Sequence, residues 1–171
     1  MEVIVPEDLK YLYVCNKENP IVKIPSPVLR QISKPVIKIT KKTLQLIDKM
    51  FEVIEKFDAS GLAAVQLGIL DRIFVMNVGP NGKVALINPE IMEQSGEDFE
   101  LEGCMSIPNL YGKVKRSSTV KVKGLNIKGK HVTYTFYGIE ARCTQHEVDH
   151  LNAVLFVDKV DPATLHWYDG E

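Results

Sequence analysis

Residues 139–151 run without a glycine or a proline and carry, towards their end, Gln145, His146, Glu147, Val148, Asp149 and His150. A stretch of this length following Gly138 is predicted to be a helix. On a helix, residues four apart stand on adjacent turns of one face, so the imidazoles of His146 and His150 can reach a single metal ion, with Glu147 beside them. No other feature constrains the fold as much, because a third ligand has to be brought to that face. Patterns of two histidines and a glutamate over five residues also arise by chance, so the helix alone defines a candidate metal site and the third ligand decides.

A catalytic site of this type normally has three protein ligands and one position left for water. Several downstream choices fail here. An elongated histidine motif would need Gly and His where the chain has Ala153 and Phe156, and a downstream glutamate ligand could only be Glu171. His166 stays open without support. The three cysteines, Cys15, Cys104 and Cys143, are odd in number and widely spaced, which argues against a disulfide framework and for reduced thiols in a reducing compartment. Cys143 and His150 lie about 10.5 Å apart along one helix axis, too far to share an ion. Cys143 is therefore expected to line the site or to pack beneath it. Cys104 stands between Gly103 and Met105 on a separate segment that can approach the helix from the side. Glycine before it permits close backbone approach, and a thiolate completes the coordination of a metal. A lone cysteine is more often a small buried hydrophobe, but the neighbours of this one favour the functional reading.

The remainder reads as one ordinary globular unit. The 171 residues fit a single catalytic domain, with residues 1–20 an N-terminal extension of undecided structure; a chain this long buries roughly 70% of its unfolded surface. Its 21 basic and 22 acidic side chains imply no field for nucleic acid. The apolar stretch 61–70 is broken by Gln66 and Gly68 and falls short of the roughly 20 residues a membrane span requires. Residues 1–20 contain Glu2, Glu7, Asp8 and Glu18 but no arginine, unlike a secretory signal or a transit peptide. The expected location is the cytosol, or an organelle interior after processing.

Turn residues and periodicity set the elements. Pro25, Pro27 and Pro35 make residues 21–39 irregular and extended. Leu44, Ile47, Phe51, Ile54 and Phe57 then recur at helical steps, with Thr40 as N-cap and Gly61 as the stop. Residues 72–78 and 83–88 read as a hairpin around the turn 79–82, which residues 91–95 can extend, and residues 119–125 and 131–136 as a second. Strand character returns over 154–160. The architecture is α+β, with mostly antiparallel sheets packed around the central helix that bears the histidines.

Three motifs resemble those of peptide deformylases: Gly61-Leu62-Ala63-Ala64-Val65-Gln66, Glu102-Gly103-Cys104-Met105-Ser106, and Gln145-His146-Glu147-Val148-Asp149-His150-Leu151. They occur in the family's order and at similar separations, so the resemblance covers roughly residues 21–160. It implies hydrolysis of the N-formyl group from the initiating methionine of new polypeptides, releasing formate. It implies further that Cys104, His146 and His150 hold one divalent ion, Fe(II) in the cell and zinc, nickel or cobalt in a purified sample. Glu147 is then the acid/base, and Gln66 with the N–H of Met105 the donors to the oxyanion. Gly61, Leu62 and Cys143 are expected to wall the methionine pocket. The partners implied are formylated nascent chains, with the ribosome near by and without nucleic acid or membrane contact; oligomeric state is left open.

The chain departs from the family pattern at Ala59, where a glycine is usual, at Val65, where proline is common, and at Met105, where leucine is. The first two bear on the loop near the substrate. Glu102 and Arg116 either brace the cysteine segment or are unrelated surface charges, and Asp149 leaves the same choice. Two rival readings remain. In a metallopeptidase the third ligand would lie downstream of His150, and in an inactive binding protein the departures at Ala59 and Val65 would have ended hydrolysis.

Overall fold

A computed structural model describes residues 1–168, so Glu171 lies outside the described residues. The expected α+β architecture is present, built on a five-stranded antiparallel sheet in the order β1-β2-β3-β6-β7. Both predicted hairpins belong to it. Strand β2 (Ile73–Asn77) turns into β3 (Lys83–Ser95), pairing Asn77 with Lys83, and β6 (Thr119–Leu125) turns into β7 (His131–Tyr137), pairing Leu125 with His131. Residues 91–95 do prolong β3, beyond a bulge between Ile87 and Glu90. The short strand β1 (Gly61–Ala63) pairs with the free edge of β2.

Successive strand residues point to opposite faces, and each face of this sheet meets one helix. Phe74, Met76, Leu86, Val120 and Val122 face α2 (Gly138–Leu151), whereas Ile73, Val75 and Ile87 face α1 (Lys41–Lys56). Thr40 caps α1 as expected: Thr40 Oγ1 accepts from the Thr43 N–H, and Thr43 Oγ1 accepts from the Thr40 N–H. The stop at Gly61 is corrected. The helix ends at Lys56, Asp58 turns the chain with φ 49°, and Gly61 already opens β1. The buried stripe also differs, being Thr43, Ile47, Met50, Val53 and Ile54, with Leu44 37% exposed. Stripes beginning at 43 or at 44 have the same three- and four-residue steps, so only the opposing sheet could choose between them.

A second antiparallel sheet consists of β4 (Asp98–Cys104), β5 (Ile107–Arg116) and β8 (His166–Trp167), in the order β4-β5-β8. Sequence patterning did not reveal β4: residues 98–102 do alternate polar and apolar, but Phe99 and Leu101 are exposed and Glu102 is the buried side chain. The strand expected over 154–160 is likewise corrected. Leu155, Phe156 and Val157 are all buried, and the chain takes a short 3-10 turn in which Asp158 Oδ2 accepts from the Leu155 N–H at 2.9 Å. Consecutive apolar side chains here serve a core between loop and sheet, and Val160 makes an isolated bridge to Val114.

Helix α2 lies between the two sheets. Gly138, at φ 54°, makes the bend from β7 straight into the helix, a conformation with little cost for glycine. Ala141, Val148 and Leu151 pack on the first sheet, while Arg142 reaches the second, donating to the backbone oxygens of Val114 and Asp98 at 3.0 Å each. This leaves His146 and His150 against β4, with Glu147 beside Gly61 of β1. No helix among the described residues is long and apolar enough to cross a membrane.

Candidate metal centre

The tight connection between β4 and β5 brings Cys104 over α2. Its Sγ lies 3.3 Å from His150 Nε2, and one ligand atom each from Cys104, His146 and His150 falls within 4.8 Å of the others. An ion bound at about 2.0–2.3 Å to one sulfur and two nitrogens in a tetrahedral arrangement spaces those atoms roughly 3.5 Å apart, so the three side chains fit a metal. The electrostatics agree. Burial lowers the pKa of His146, but its hydrogen bonds to Cys104 and Glu102 outweigh that and hold it well above the usual value. Burial, and then the neighbouring His146, push His150 well below it. His150 is thereby held neutral, the form in which an imidazole binds a metal.

Glu102 organises one side of the centre. Its Oε2 accepts from His146 Nδ1 at 2.9 Å, which leaves Nε2 of that ring for the ion. The same carboxylate accepts from Arg116 Nε and Nη2 at 2.7 and 2.9 Å and from Arg142 Nη1 at 2.8 Å. Arg116 also pairs with Asp149, which Lys159 meets at 2.9 Å. Burial alone would raise the pKa of Glu102, but the hydrogen bonds from Arg116 and His146 keep it well below the carboxylate range. The choice left open by sequence for Glu102, Arg116 and Asp149 resolves to one braced network. Arg142 was not foreseen; an arginine between Ala141 and Cys143 on the histidine helix was the available signal.

Gln66 approaches from the short 3-10 turn after β1. Its Oε1 accepts from the Ala63 N–H at 3.0 Å, so its Nε2 points to Cys104 Sγ at 3.6 Å and Ser106 Oγ at 3.2 Å. Glu147 is 3% exposed, and its Oε2 has no hydrogen-bond partner. Burial pushes its carboxyl up to about 7; His146 opposes the shift and Glu102 adds to it.

These side chains border a cleft of about 610 Å³, between Ala59–Gly61 on one wall and Leu101–Gly103 on the other. Cys143 and Met105 line it as well. Burial, with the Glu147 carboxyl beside it, raises the Cys143 thiol well above its usual range, consistent with a wall rather than a ligand. Leu62 is corrected: it is fully buried against α1, because it points to the opposite face of β1 from Gly61 and Ala63. His166 sits on β8 near the Tyr111 ring, outside the ligand cluster. Val65 is buried in the core and Ala59 borders the cleft.

Gly61 has a steric role that spacing could not reveal. A Cβ there would meet Cys143 Sγ at 2.7 Å, Glu147 Oε1 at 3.0 Å and the Val75 carbonyl at 3.0 Å. Gly61→Ala is therefore expected to displace Glu147, lowering kcat at least tenfold with metal content unchanged. Steady-state kinetics beside metal analysis check this.

The fold and this arrangement define a metal-dependent hydrolase, with a cleft on one side of a histidine helix and a cysteine-bearing hairpin above it. The chain belongs to the polypeptide deformylase family, whose model matches residues 18–165, and it removes the N-formyl group from the N-formylmethionine of newly made polypeptides. Among relatives, the peptide deformylase of Halothermothrix orenii is 53% identical over 141 residues, covering 82% of this chain and 92% of its own. The crystal structure of the Thermotoga maritima peptide deformylase superposes with a TM-score of 0.80 at 44% identity, covering 83% of this chain and 97% of that one. The Synechococcus elongatus enzyme, solved in complex with actinonin, gives 0.79 at 37% identity, covering 82% and 78%.

Proposed function

We propose that residues 1–171 act as one catalytic domain in which Cys104, His146 and His150 hold a single divalent ion, Glu147 moves the proton, and Gln66 with the Met105 N–H receives the oxyanion. The observation that carries this reading is the approach of Cys104 Sγ to His150 Nε2 at 3.3 Å above an otherwise unpartnered Glu147 carboxyl oxygen. Cys104, His146 and His150 would hold the ion, and its chemistry when bound would be to make water nucleophilic near neutral pH and to draw charge from the formyl carbonyl. Glu147 takes the proton of the attacking water. The C–N bond then breaks, the proton passes from Glu147 to the departing amine nitrogen, and formate leaves. Gln66, its amide held by Ala63, and the backbone N–H after Cys104 donate to the carbonyl oxygen as it gains charge. Gly61 and Cys143 wall the methionine side chain.

One thiolate and two imidazoles accept several divalent metals. Iron(II) is proposed for the cell, with zinc, nickel or cobalt in its place after handling. The working place proposed is the cytoplasm, close to ribosomes that deliver formylated chains.

The test is formate release from a formylmethionyl peptide after anaerobic reconstitution with Fe(II), wild type beside Cys104→Ala. The wild type is expected to bind one equivalent of metal and turn over, and Cys104→Ala to retain neither property. Full metal occupancy without formate release would favour an inactive binding protein. Unimpaired metal binding by Cys104→Ala would reopen the metallopeptidase reading.

A further inference from the structure

Most of the extension precedes the family match, which begins at residue 18, yet it is folded onto the cleft. Val3 packs against the core beneath β5, residues Glu7–Tyr13 form a 3-10 helix beside that strand, and Tyr13 Oη donates to the Pro108 carbonyl at 2.9 Å. The chain then turns, Asn16 N–H donating to the Asn19 carbonyl at 2.9 Å, and Lys56 Nζ at the end of α1 donates to the Glu18 carbonyl at 2.6 Å. Pro108 and Phe57, the neighbour of Lys56, both line the cleft. Residues 13–18 therefore cross from one wall of the cleft to the other.

A buried lysine holds the crossing from below. Lys23 is 5% exposed and donates to the Ile21 carbonyl at 2.7 Å, to Asn19 Oδ1 at 3.1 Å and to the Val14 carbonyl at 3.5 Å. All three acceptors are neutral, so its charge is spent fastening the turn. Both ends of the crossing border the cleft that Cys104 and His146 also line, through Leu12 and Asn19.

Helix α2 supplies Ile139, Arg142, Cys143, His146 and Glu147 to the cleft surface, so a polypeptide whose first residue is held against them runs on past the lining residues of the facing side. Leu12 and Asn19 form part of the cleft surface on that side. We propose that residues 12–19 are a strap that contacts the residue following the formylmethionine, with Leu12 giving the enzyme a preference for an apolar side chain at that position. The inference rests on the placement of the reaction at Cys104, His146 and His150.

The test compares formylmethionine with formyl-Met-Leu, formyl-Met-Ser and formyl-Met-Asp peptides, measuring formate release by the full-length wild type, Leu12→Ser and Tyr13→Phe. The wild type is expected to show its lowest KM with leucine. Leu12→Ser should raise that KM about three- to tenfold, as for loss of one partly buried apolar contact. Tyr13→Phe should raise it less, and kcat should stay within about twofold of the wild type in both. Thermal unfolding establishes that both variants are folded. KM values that do not depend on the second residue, or that rise equally for formylmethionine and every peptide, would overturn the strap. Failure of the wild type to release formate from any of these substrates would remove the deformylase chemistry and the strap with it.

Discussion

Glu147→Gln is expected to lower kcat for formate release by about 10²- to 10⁴-fold while the protein keeps its metal and its fold. Glutamine matches the shape of glutamate, so Cys143 and Gly61 keep their packing. It cannot accept the proton of the attacking water or return it to the amine. The surroundings of this carboxyl suit both of the proposed steps. It is 3% exposed, one of its oxygens has no partner, and burial brings its pKa to about 7, where either protonation state is within reach. Single-turnover formate release alongside metal analysis checks the expectation, and a rate near that of the wild type in a fully loaded variant would take the acid/base role from Glu147.

Glu102→Ala is expected to act on metal and stability together. Loss of its bond to His146 Nδ1 frees the ring to turn, which should weaken metal binding about 10- to 100-fold. Loss of the carboxylate also leaves the Arg116 and Arg142 guanidinium groups, whose side chains are 2% and 6% exposed, short of a buried counter-charge. Breaking such a buried arrangement by removing one partner costs about 3–5 kcal/mol. Competition with a chelator and urea unfolding read the two effects separately. Asp149→Asn should cost much less, since Asp149 is more exposed and touches no proposed ligand. If both variants cost the same, Glu102 has no special hold on His146.

Much of this site is written in short-range spacing. The positions of His146, Glu147 and His150 on one helix follow from four-residue separation and an uninterrupted segment, and the poor fit of Cys143 as a ligand follows from the rise of that helix. The two hairpins of the first sheet were legible because β-branched runs flank turns rich in glycine and asparagine. Strand β4 was missed although residues 98–102 alternate polar and apolar, and the structure inverts that pattern: Phe99 and Leu101 are exposed, while Glu102 is buried among Arg116, Arg142 and His146. Residues 154–160 misled for the converse reason: apolar content identifies a buried segment without saying whether a neighbouring strand is there to pair with it.

What the sequence by itself determined is the local part: the helix, its histidines and glutamate, the capped start of α1, and motifs whose order marks the family. The tertiary structure alone decided the rest. It set Cys104 at 3.3 Å from a histidine 46 residues away, joined Glu102 to Arg116 and Arg142, turned Leu62 into the core, and laid residues 12–19 across the cleft. The physical reason is the range of the forces. Helical and strand periodicity arises among neighbours in the chain, whereas a ligand set, an ion-pair network or a cleft wall exists only after distant segments have been packed against one another, and many sequences with the same local pattern would pack differently.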